Sequence, residues 1–276
     1  MKIFNKVVII GTGLIGGSVG LGLRKKHLAK EVIGLSRKKA NANLAKKLGA
    51  IDSIGRSLDV VADADLIILA TPVDSIIKIA SEISKNIKKN CIVIDVGSTK
   101  EMIVAKLSRI IPNFVGCHPL AGLEKKGIAN IQANIFNDSI CIITPTLKTN
   151  KNILNKIALL WKSLGAKAIV LSARKHDQIL ACTSHLPHAV AFSLIKSIPE
   201  EFFKLSSKGL KDTTRIAASD AHLWSQIFFS NRRNLLTALA VFQIKLNTLI
   251  LALKNNDKKL LIKILKTSQN KRRKLG

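Results

Sequence analysis

An apolar run that leads straight into closely spaced glycines constrains this fold more than any other feature. Residues 7–10 (VVII) precede the segment Gly11-Thr12-Gly13-Leu14-Ile15-Gly16, and amphipathic sequence continues to about residue 24. This pattern predicts a buried strand, a tight turn and the start of a helix. Gly11 permits the turn, Gly13 lets the backbone approach a pyrophosphate, and Gly16 lets the helix lie close to the strand. All six residues of the segment are therefore predicted to bind a nucleotide cofactor at the helix N-terminus.

The same stretch has one other interpretation, a secretory signal peptide. Lys2 and Lys6 precede a mostly apolar segment of about the right length. No small-residue cleavage site interrupts it, however, and strands and helices continue to alternate afterwards. The four cysteines also form no CxxC pair. Buried free thiols in a reducing cytoplasm are therefore expected, and no metal site.

Strand-like runs alternate with helical patterns up to about residue 172, and helical periodicity alone follows. The expected strands after the first are 31–36, 65–72, 91–95, 114–117, 139–143 and 167–171. This order predicts a Rossmann-type α/β domain with a parallel sheet over residues 1–172 and an all-α domain over residues 173–276. Helices are expected at 231–254 and 257–266, and both are apolar around much of their circumference. This indicates burial in that domain or in a dimer interface.

The chain carries a net charge of +28, from 45 Lys and Arg against 17 Asp and Glu. Such a charge is typical of nucleic-acid-binding proteins. The lysines are nevertheless spread over every expected helix, and only the tail 271–274 is a compact basic cluster. Tyrosine is absent, so aromatic platforms for bases are scarce. A solvated basic surface that attracts anionic substrates is therefore expected, with no nucleic-acid partner. Gln243, Lys245 and Asn247 interrupt the longest late apolar segment, so no membrane span is expected.

The end of the second expected strand bears on the choice of cofactor. NAD sites carry an acidic residue about 20 residues beyond the glycines. Here Ser36 stands 20 residues after Gly16, and Arg37 and Lys38 follow it. A serine and two cations suit the 2′-phosphate of NADP, so NADP is the preferred cofactor and NAD a possible one. The alternative is two more solvated basic residues.

Open α/β sheets bind their ligands at the carboxyl ends of the strands. Thr71 and the segment 96–100, which contains Ser98, lie at two such ends, and Thr71 is assigned to the cofactor. His118 lies at a third and is fixed by Pro119. A neutral imidazole there can take a proton from a substrate hydroxyl, although a lone histidine is more often structural.

Polar residues also share a stripe on a helix expected to begin near residue 174. On an ideal helix Ser184 and His188 lie about 20° to either side of Asp177 and so share one stripe, whereas His185 points about 80° away. A lined cavity and a hydrogen-bonded core network both fit this stripe. Pro187 is expected to kink the helix.

A third polar segment, 209–217, is expected to lie between helices. Its Arg215 has a planar fork suited to a carboxylate.

Taken together, these segments resemble the prephenate dehydrogenase family, which includes arogenate and cyclohexadienyl dehydrogenases. The similarity covers about residues 6–255. It rests on five motifs that occur in the same order as in the family: GTGLIGGS, DVGSTK, HPLAG, SHLPHAVAF and GLKDTTRIA. Trp224 also follows Arg215 by nine residues. It implies a Rossmann domain followed by a helical domain that forms a homodimer. It also implies oxidative decarboxylation of prephenate to 4-hydroxyphenylpyruvate, or of arogenate to tyrosine.

The resemblance also implies roles for individual residues. His118 would deprotonate the C4 hydroxyl, Ser98 would hydrogen-bond both that hydroxyl and His118, and Arg215 would bind a substrate carboxylate. The pocket would be lined by Ser184, His185 and His188. Glu124, in the loop after HPLAG, would suit the ammonium group of arogenate, whereas His188 and the surrounding positive charge favour the keto acid, so prephenate is expected. The remaining alternatives are a 3-hydroxy acid dehydrogenase and a basic nucleic-acid-binding Rossmann protein.

Overall fold

The computed structural model describes residues 2–121 and 127–275. Eight strands form one sheet in the order β3-β2-β1-β4-β5-β6-β7-β8. They are β1 Phe4–Ile10, β2 Ala29–Leu35, β3 Ser53–Ile54, β4 Leu66–Leu69, β5 Ile92–Asp95, β6 Phe114–Pro119, β7 Ile140–Thr144 and β8 Lys167–Val170. All neighbours pair in parallel except β6 and β7, which are antiparallel. The predicted α/β Rossmann-type fold is confirmed, with one antiparallel pairing that the sequence pattern did not predict.

Helices cover this sheet and then form the rest of the chain. The first half contains α1 Leu14–Lys25, α2 Lys39–Lys47, α3 Val73–Ile83, α4 Glu101–Ile110 and α5 Lys151–Leu164. The second half contains α6 Ala173–Leu180, α7 Leu186–Lys196, α8 Lys208–Thr214, α9 Ala221–Ser230, α10 Arg232–Lys254 and α11 Lys258–Arg273. A π-helix, Ala181–His185, joins α6 to α7.

The core lies on both faces of the sheet. Along β1, Val7 and Ile9 belong to one apolar cluster, whereas Val8 and Ile10 belong to the other. Burying each such side chain contributes about 1.5–3 kcal/mol. A strand enclosed on both faces reads as a continuous apolar run, which is why the central strands are recognisable in the sequence.

Two local predictions are wrong. The segment 209–217 is not a linker, because it belongs to α8 and to a short 3-10 helix, Arg215–Ala218. Pro187 lies at the start of α7, directly after the π-helix that joins it to α6, so the chain departs from regular α-helix just before the proline, and the expected kink stays a prediction. Cys182 is exposed, although the other three cysteines are buried as expected.

The last two helices expose much of their apolar surface. In α10, Leu236, Ile244 and Leu253 are between 57% and 60% exposed, and in α11 Leu265 is 53% exposed. The helix α10 is therefore not buried within this chain. By length and composition alone it could also cross a membrane, despite its interrupting polar residues, so the expected absence of a membrane span stays a prediction.

Candidate active site

The glycine turn between β1 and α1 has the shape of an anion site. Gly11 has a φ of +104°, and a Cβ there would lie 2.5 Å from the carbonyl oxygen of Ala70. A Cβ on Gly16 would lie 2.0 Å from the Gly11 oxygen, whereas one on Gly13 would meet nothing within 4 Å. The turn is thus closed on the protein side and open at Gly13. Leu14 and Ile15 begin α1 without an acidic residue in the first turn, so the helix N-terminus favours an anion.

Two buried hydroxyls accompany this turn. The Oγ1 atoms of Thr12 and Thr71 are buried, and neither has a hydrogen-bond partner among residues 2–121 and 127–275. Buried polar atoms are normally paired, so both hydroxyls suit a polar ligand. The carbonyl of Leu35 accepts a hydrogen bond from the N–H of Gly11 at 2.8 Å, which brings the end of β2 beside the turn. Ser36, Arg37 and Lys38 follow directly, with Ser36 partly buried and the two cations exposed. A dinucleotide cofactor fits these residues.

A chain of hydrogen bonds reaches His118 from the helical half. His118 lies in β6, one residue before its end, and is partly buried. Its Nδ1 lies 2.8 Å from Nε2 of His176, and Nδ1 of His176 lies 2.7 Å from Oδ1 of Asp177. His176 and Asp177 are fully or almost fully buried in the middle of α6. We call these three residues the relay.

The relay is anchored at the amino end of α4. Backbone N–H groups of Lys100 and Glu101 donate to the two carboxylate oxygens of Asp177 at 2.8 and 2.9 Å. Lys100 is itself fully buried, and its ammonium pairs with the carboxylate of Asp95, which also accepts the Gly97 N–H at 2.8 Å. These contacts fix both ends of the loop between β5 and α4.

This anchoring determines which nitrogen of His118 carries the proton. Because both Asp177 oxygens accept backbone N–H groups, the carboxylate acts as acceptor and Nδ1 of His176 donates to it. Nε2 of neutral His176 is then an acceptor, so Nδ1 of His118 donates and Nε2 of His118 has a free lone pair. Burial lowers the pKa of His118 well below its ordinary value, and nearby His176 and Lys100 act in the same direction. His118 is therefore neutral at pH 7, as a general base must be.

A second histidine pair packs around Trp224. His188 stacks on the Trp224 ring with centroids 3.5 Å apart and planes inclined by 21°, and its Nδ1 lies 2.9 Å from the Ser184 carbonyl. His185 lies edge-on to the same ring at 6.1 Å and is 1% exposed. Burial lowers the pKa of both histidines, that of His185 to about 4.

The position of His185 corrects the helical-wheel prediction. An ideal helix turns His185 away from Asp177, whereas in the structure the two interact electrostatically, and His185 also acts on His118. The π-helix 181–185 explains the difference, because it winds more residues into each turn than an α-helix does. His185 therefore belongs to the same site as His118.

The remaining predicted site residues lie outside the relay. Ser98 is partly exposed on the loop between β5 and α4, and it makes no hydrogen bond to His118 among the described residues. Arg215 begins the 3-10 helix, is exposed, and lies close enough to His188 for its charge to lower that pKa. Ser184 contributes its carbonyl to His188. Glu124 lies outside the described residues.

Two residues of the site were missed by sequence reasoning. His176 carried one weak signal, its position next to Asp177 on the predicted polar stripe. Asn231, 3% exposed, donates from Nδ2 to the Asp177 carbonyl at 2.7 Å and approaches Nδ1 of His185 at 3.1 Å. No local pattern in the sequence marks it. In the described part of the chain no group of three or more His, Cys, Asp or Glu is placed to hold a metal.

Two models of one known family match most of the chain. The family model described as the nucleotide-binding domain of prephenate dehydrogenase matches residues 19–170, and that of its dimerization domain matches residues 172–267. The chain belongs to the prephenate dehydrogenase family. The predicted family, and the oxidoreductase class that it implies, are confirmed.

Individual relatives agree with the family assignment. Prephenate dehydrogenase of Bacillus subtilis is 34% identical over 83% of this chain, which spans 65% of that relative. Cyclohexadienyl dehydrogenase of Zymomonas mobilis is 33% identical over 99% of this chain and 96% of its own length. Among solved structures, Aquifex aeolicus prephenate dehydrogenase with NAD+ and hydroxyphenyl propionate has a TM-score of 0.93 at 34% identity, covering 99% of this chain and 98% of that one. Synechocystis arogenate dehydrogenase has a TM-score of 0.86 at 29% identity, covering 98% and 100%. Use of NAD(P) follows from the matched nucleotide-binding domain of this family.

Proposed function

We propose that this chain oxidises and decarboxylates prephenate to 4-hydroxyphenylpyruvate with an NAD(P) cofactor. The observation that carries this proposal is the relay, which leaves Nε2 of His118 unprotonated at the edge of the sheet where the glycine turn lies. The names of the Bacillus and Aquifex relatives support the choice of prephenate.

The residues of the site have separate roles in this reaction. Nε2 of His118 accepts the proton of the C4 hydroxyl, and Ser98 hydrogen-bonds the same hydroxyl. Arg215 binds a carboxylate, while Ser184, His185 and His188 line the pocket. The bound cofactor supplies the acceptor for the C4 hydride. Loss of that hydride and of the ring carboxylate as carbon dioxide makes the ring aromatic, and the proton held on His118 returns to the phenolic oxygen.

A four-way assay tests the proposal, with prephenate and arogenate each supplied with NAD or NADP. Turnover of prephenate is expected. His118→Ala should lower kcat by about 10²–10⁴, the usual contribution of a positioned general base. His222→Ala is the matched control, because His222 is exposed on α9 outside the relay, and its activity should be unchanged. Full activity of the His118 variant, or oxidation of 3-hydroxy acids in place of prephenate, would contradict the proposal.

Arogenate is the second candidate substrate. The relatives named cyclohexadienyl and arogenate dehydrogenase support it. Arogenate carries an ammonium group where prephenate has a ketone, so its site needs a nearby acid. Among the described pocket residues, Arg215 is a cation and His185 and His188 are neutral at pH 7, which favours the keto acid. A higher kcat/KM with arogenate would reverse the order.

We propose further that NADP is preferred over NAD. The support is the group Ser36, Arg37 and Lys38 at the end of β2, beside the glycine turn. Charged hydrogen bonds of about 1.5–3 kcal/mol correspond to about 10- to 150-fold in affinity. Arg37→Ala should lower kcat/KM for NADP by an amount in that range and leave NAD almost unaffected. Lys46→Ala, at the other end of α2, is the control. The Aquifex structure contains NAD+. If kcat/KM with NADP is no higher than kcat/KM with NAD, the proposed preference is wrong.

We also propose that the chain forms a homodimer through its helical half. The match to a dimerization domain and the exposed apolar side chains of α10 and α11 support it. Ile244→Glu should give a monomer in sedimentation experiments, because Ile244 is 60% exposed on α10. Leu147→Glu, fully exposed in the Rossmann half, should leave the dimer intact. A cytoplasmic location fits the free buried thiols of the chain.

A further inference from the structure

Asn231 connects the two histidine groups of the site. It lies between α9 and α10 and is 3% exposed. Its Nδ2 donates to the backbone carbonyl of Asp177 at 2.7 Å and lies 3.1 Å from Nδ1 of His185. Its Oδ1 accepts from Nδ2 of Asn234 at 2.8 Å. Because a carbonyl oxygen only accepts hydrogen bonds, the Asn231 amide has one orientation, with Nδ2 toward Asp177 and His185.

This orientation decides the protonation of His185. An amide nitrogen has two hydrogens. One is directed at the Asp177 carbonyl, which leaves the other for Nδ1 of His185. That ring nitrogen must then be unprotonated, and a neutral His185 carries its hydrogen on Nε2.

We infer that Asn231 is a positioning residue that holds His185 as the neutral Nε2–H tautomer, so that the ring presents an uncharged donor to the substrate pocket. The tautomer follows from the hydrogen bonds alone. Only its use in the pocket rests on the proposed function.

The surroundings of His185 keep it neutral. Burial is the largest influence on its pKa, and His176 and His188 lower it as well, while Asp177 raises it. The Trp224 ring packs beside it in a T-shaped arrangement, with centroids 6.1 Å apart. The net effect is a pKa of about 4, so the imidazole is uncharged at pH 7.

An uncharged donor has a chemical advantage in a decarboxylation. The negative charge of the departing carboxylate disperses in the transition state. A cationic imidazolium in this pocket would stabilise that carboxylate more in the ground state than in the transition state, which slows the reaction. A neutral N–H binds and orients an oxygen with a smaller penalty of this kind.

The tautomer can be measured directly on the full-length protein labelled with 15N-histidine. Long-range 1H–15N spectra at pH 7.5 distinguish protonated from bare ring nitrogens, and His185→Gln assigns the signal. Wild type should show His185 with hydrogen on Nε2. In Asn231→Asp, Nδ1 should become protonated, because a carboxylate accepts and cannot donate. Asn152→Asp, the same change at an exposed site on α5, should leave the spectrum of His185 unchanged.

If the buried carboxylate of Asn231→Asp prevents folding, Asn231→Ala serves instead. Its His185 should show both tautomers, because alanine offers the ring neither a donor nor an acceptor. A wild-type His185 protonated on Nδ1, or a spectrum that neither Asn231 variant alters, would overturn the inference. These spectra need no substrate, so they decide the tautomer even if prephenate proves to be the wrong substrate.

Kinetics test the use of the tautomer in the pocket. Asn231→Asp should lower kcat by about tenfold or more, the value of a lost hydrogen bond to a charged partner, with a smaller change in KM. Its kcat profile should gain an ionisation between pH 5 and 8 that disappears when His185→Gln is added. An unchanged kcat with an altered tautomer would refute the role in the pocket. Failure of wild type to turn over prephenate would refute the proposed function instead.

Discussion

Asp177→Asn is the most direct test of the relay. The carboxylate of Asp177 accepts Nδ1–H of His176, and through His176 it determines that Nδ1 of His118 carries a hydrogen. An asparagine that places its NH2 group at the position of Oδ1 turns it toward His176 and gives up the hydrogen bond from the Lys100 N–H. Nδ1 of His176 then becomes the acceptor, its Nε2 becomes the donor, and His118 is left with its proton on Nε2. The imidazole is still present, but the nitrogen that should accept the substrate proton is already protonated.

The size of the effect follows from the hydrogen bond that is lost. A hydrogen bond to a charged group contributes about 1.5–3 kcal/mol. At 1.36 kcal/mol for each factor of ten in rate, the preference for the reactive tautomer falls by about 10- to 150-fold. We expect kcat for prephenate to fall by that factor and KM to change little, because Asp177 is buried and binds no substrate group itself.

A second variant separates the tautomer from a loss of packing. In His176→Gln the side-chain oxygen can take the place of Nε2 and accept from His118, so this variant should keep more activity than His176→Ala. Steady-state kinetics with saturating cofactor give kcat and KM for each protein. If Asp177→Asn retains wild-type kcat, or if the glutamine and alanine variants are equally impaired, the tautomer argument is wrong.

Three further predictions concern binding, stability and thiol access. Arg215→Ala should raise KM for prephenate by about 10- to 150-fold with a smaller change in kcat; Lys211→Ala, exposed on α8, is the control, and an equal loss in kcat would contradict a binding role. His185 has a pKa of about 4 when folded against 6.5 ordinarily, so the unfolded chain binds more protons between these values. Its contribution of about 3 kcal/mol is present above pH 6.5 and is lost as the pH falls toward 4, which denaturant titrations of wild type, His185→Gln and the His222→Gln control can measure. A thiol reagent should modify one cysteine of four in the native protein, and none after Cys182→Ser, because the other three are buried.

The sheet was predictable from sequence because its central strands are enclosed on both faces. Runs such as 66–69 and 92–95 are buried throughout, and each stands between helical patterns. β3 has only two residues, which is too short for an alternation of apolar and polar residues to be recognised in the sequence. α8 was missed because glycine, aspartate and threonine in KGLKDTT have poor helix propensity, so packing decides its conformation.

The site was predictable only where a motif marks it. The HPLAG, SHLPH and DTTR segments point to His118, His185, His188 and Arg215 through sequence alone. The residues that set the protonation of these groups come from distant parts of the chain. Lys100 lies 77 residues from Asp177, and Asn231 lies 54 residues from it. Helical periodicity also placed His185 on the wrong face, because it assumes a regular turn across the π-helix.

Asp177 combines a structural and a chemical task, and the two can be separated. Its oxygens accept the first N–H groups of α4, whose own N-cap residue, Lys100, supplies no side-chain hydrogen bond among the described residues. The carboxylate from the helical half therefore caps a helix of the Rossmann half and, in the same position, orients His176. Asparagine has one side-chain oxygen and keeps one of the two backbone hydrogen bonds, whereas alanine keeps neither, and a lost cap costs about 0.5–2 kcal/mol. Asp177→Asn should consequently lose activity with a smaller drop in unfolding temperature than Asp177→Ala. The histidine that we propose as the base at the edge of the sheet is thus held as the Nδ1–H tautomer by the contact that joins the two halves of the chain.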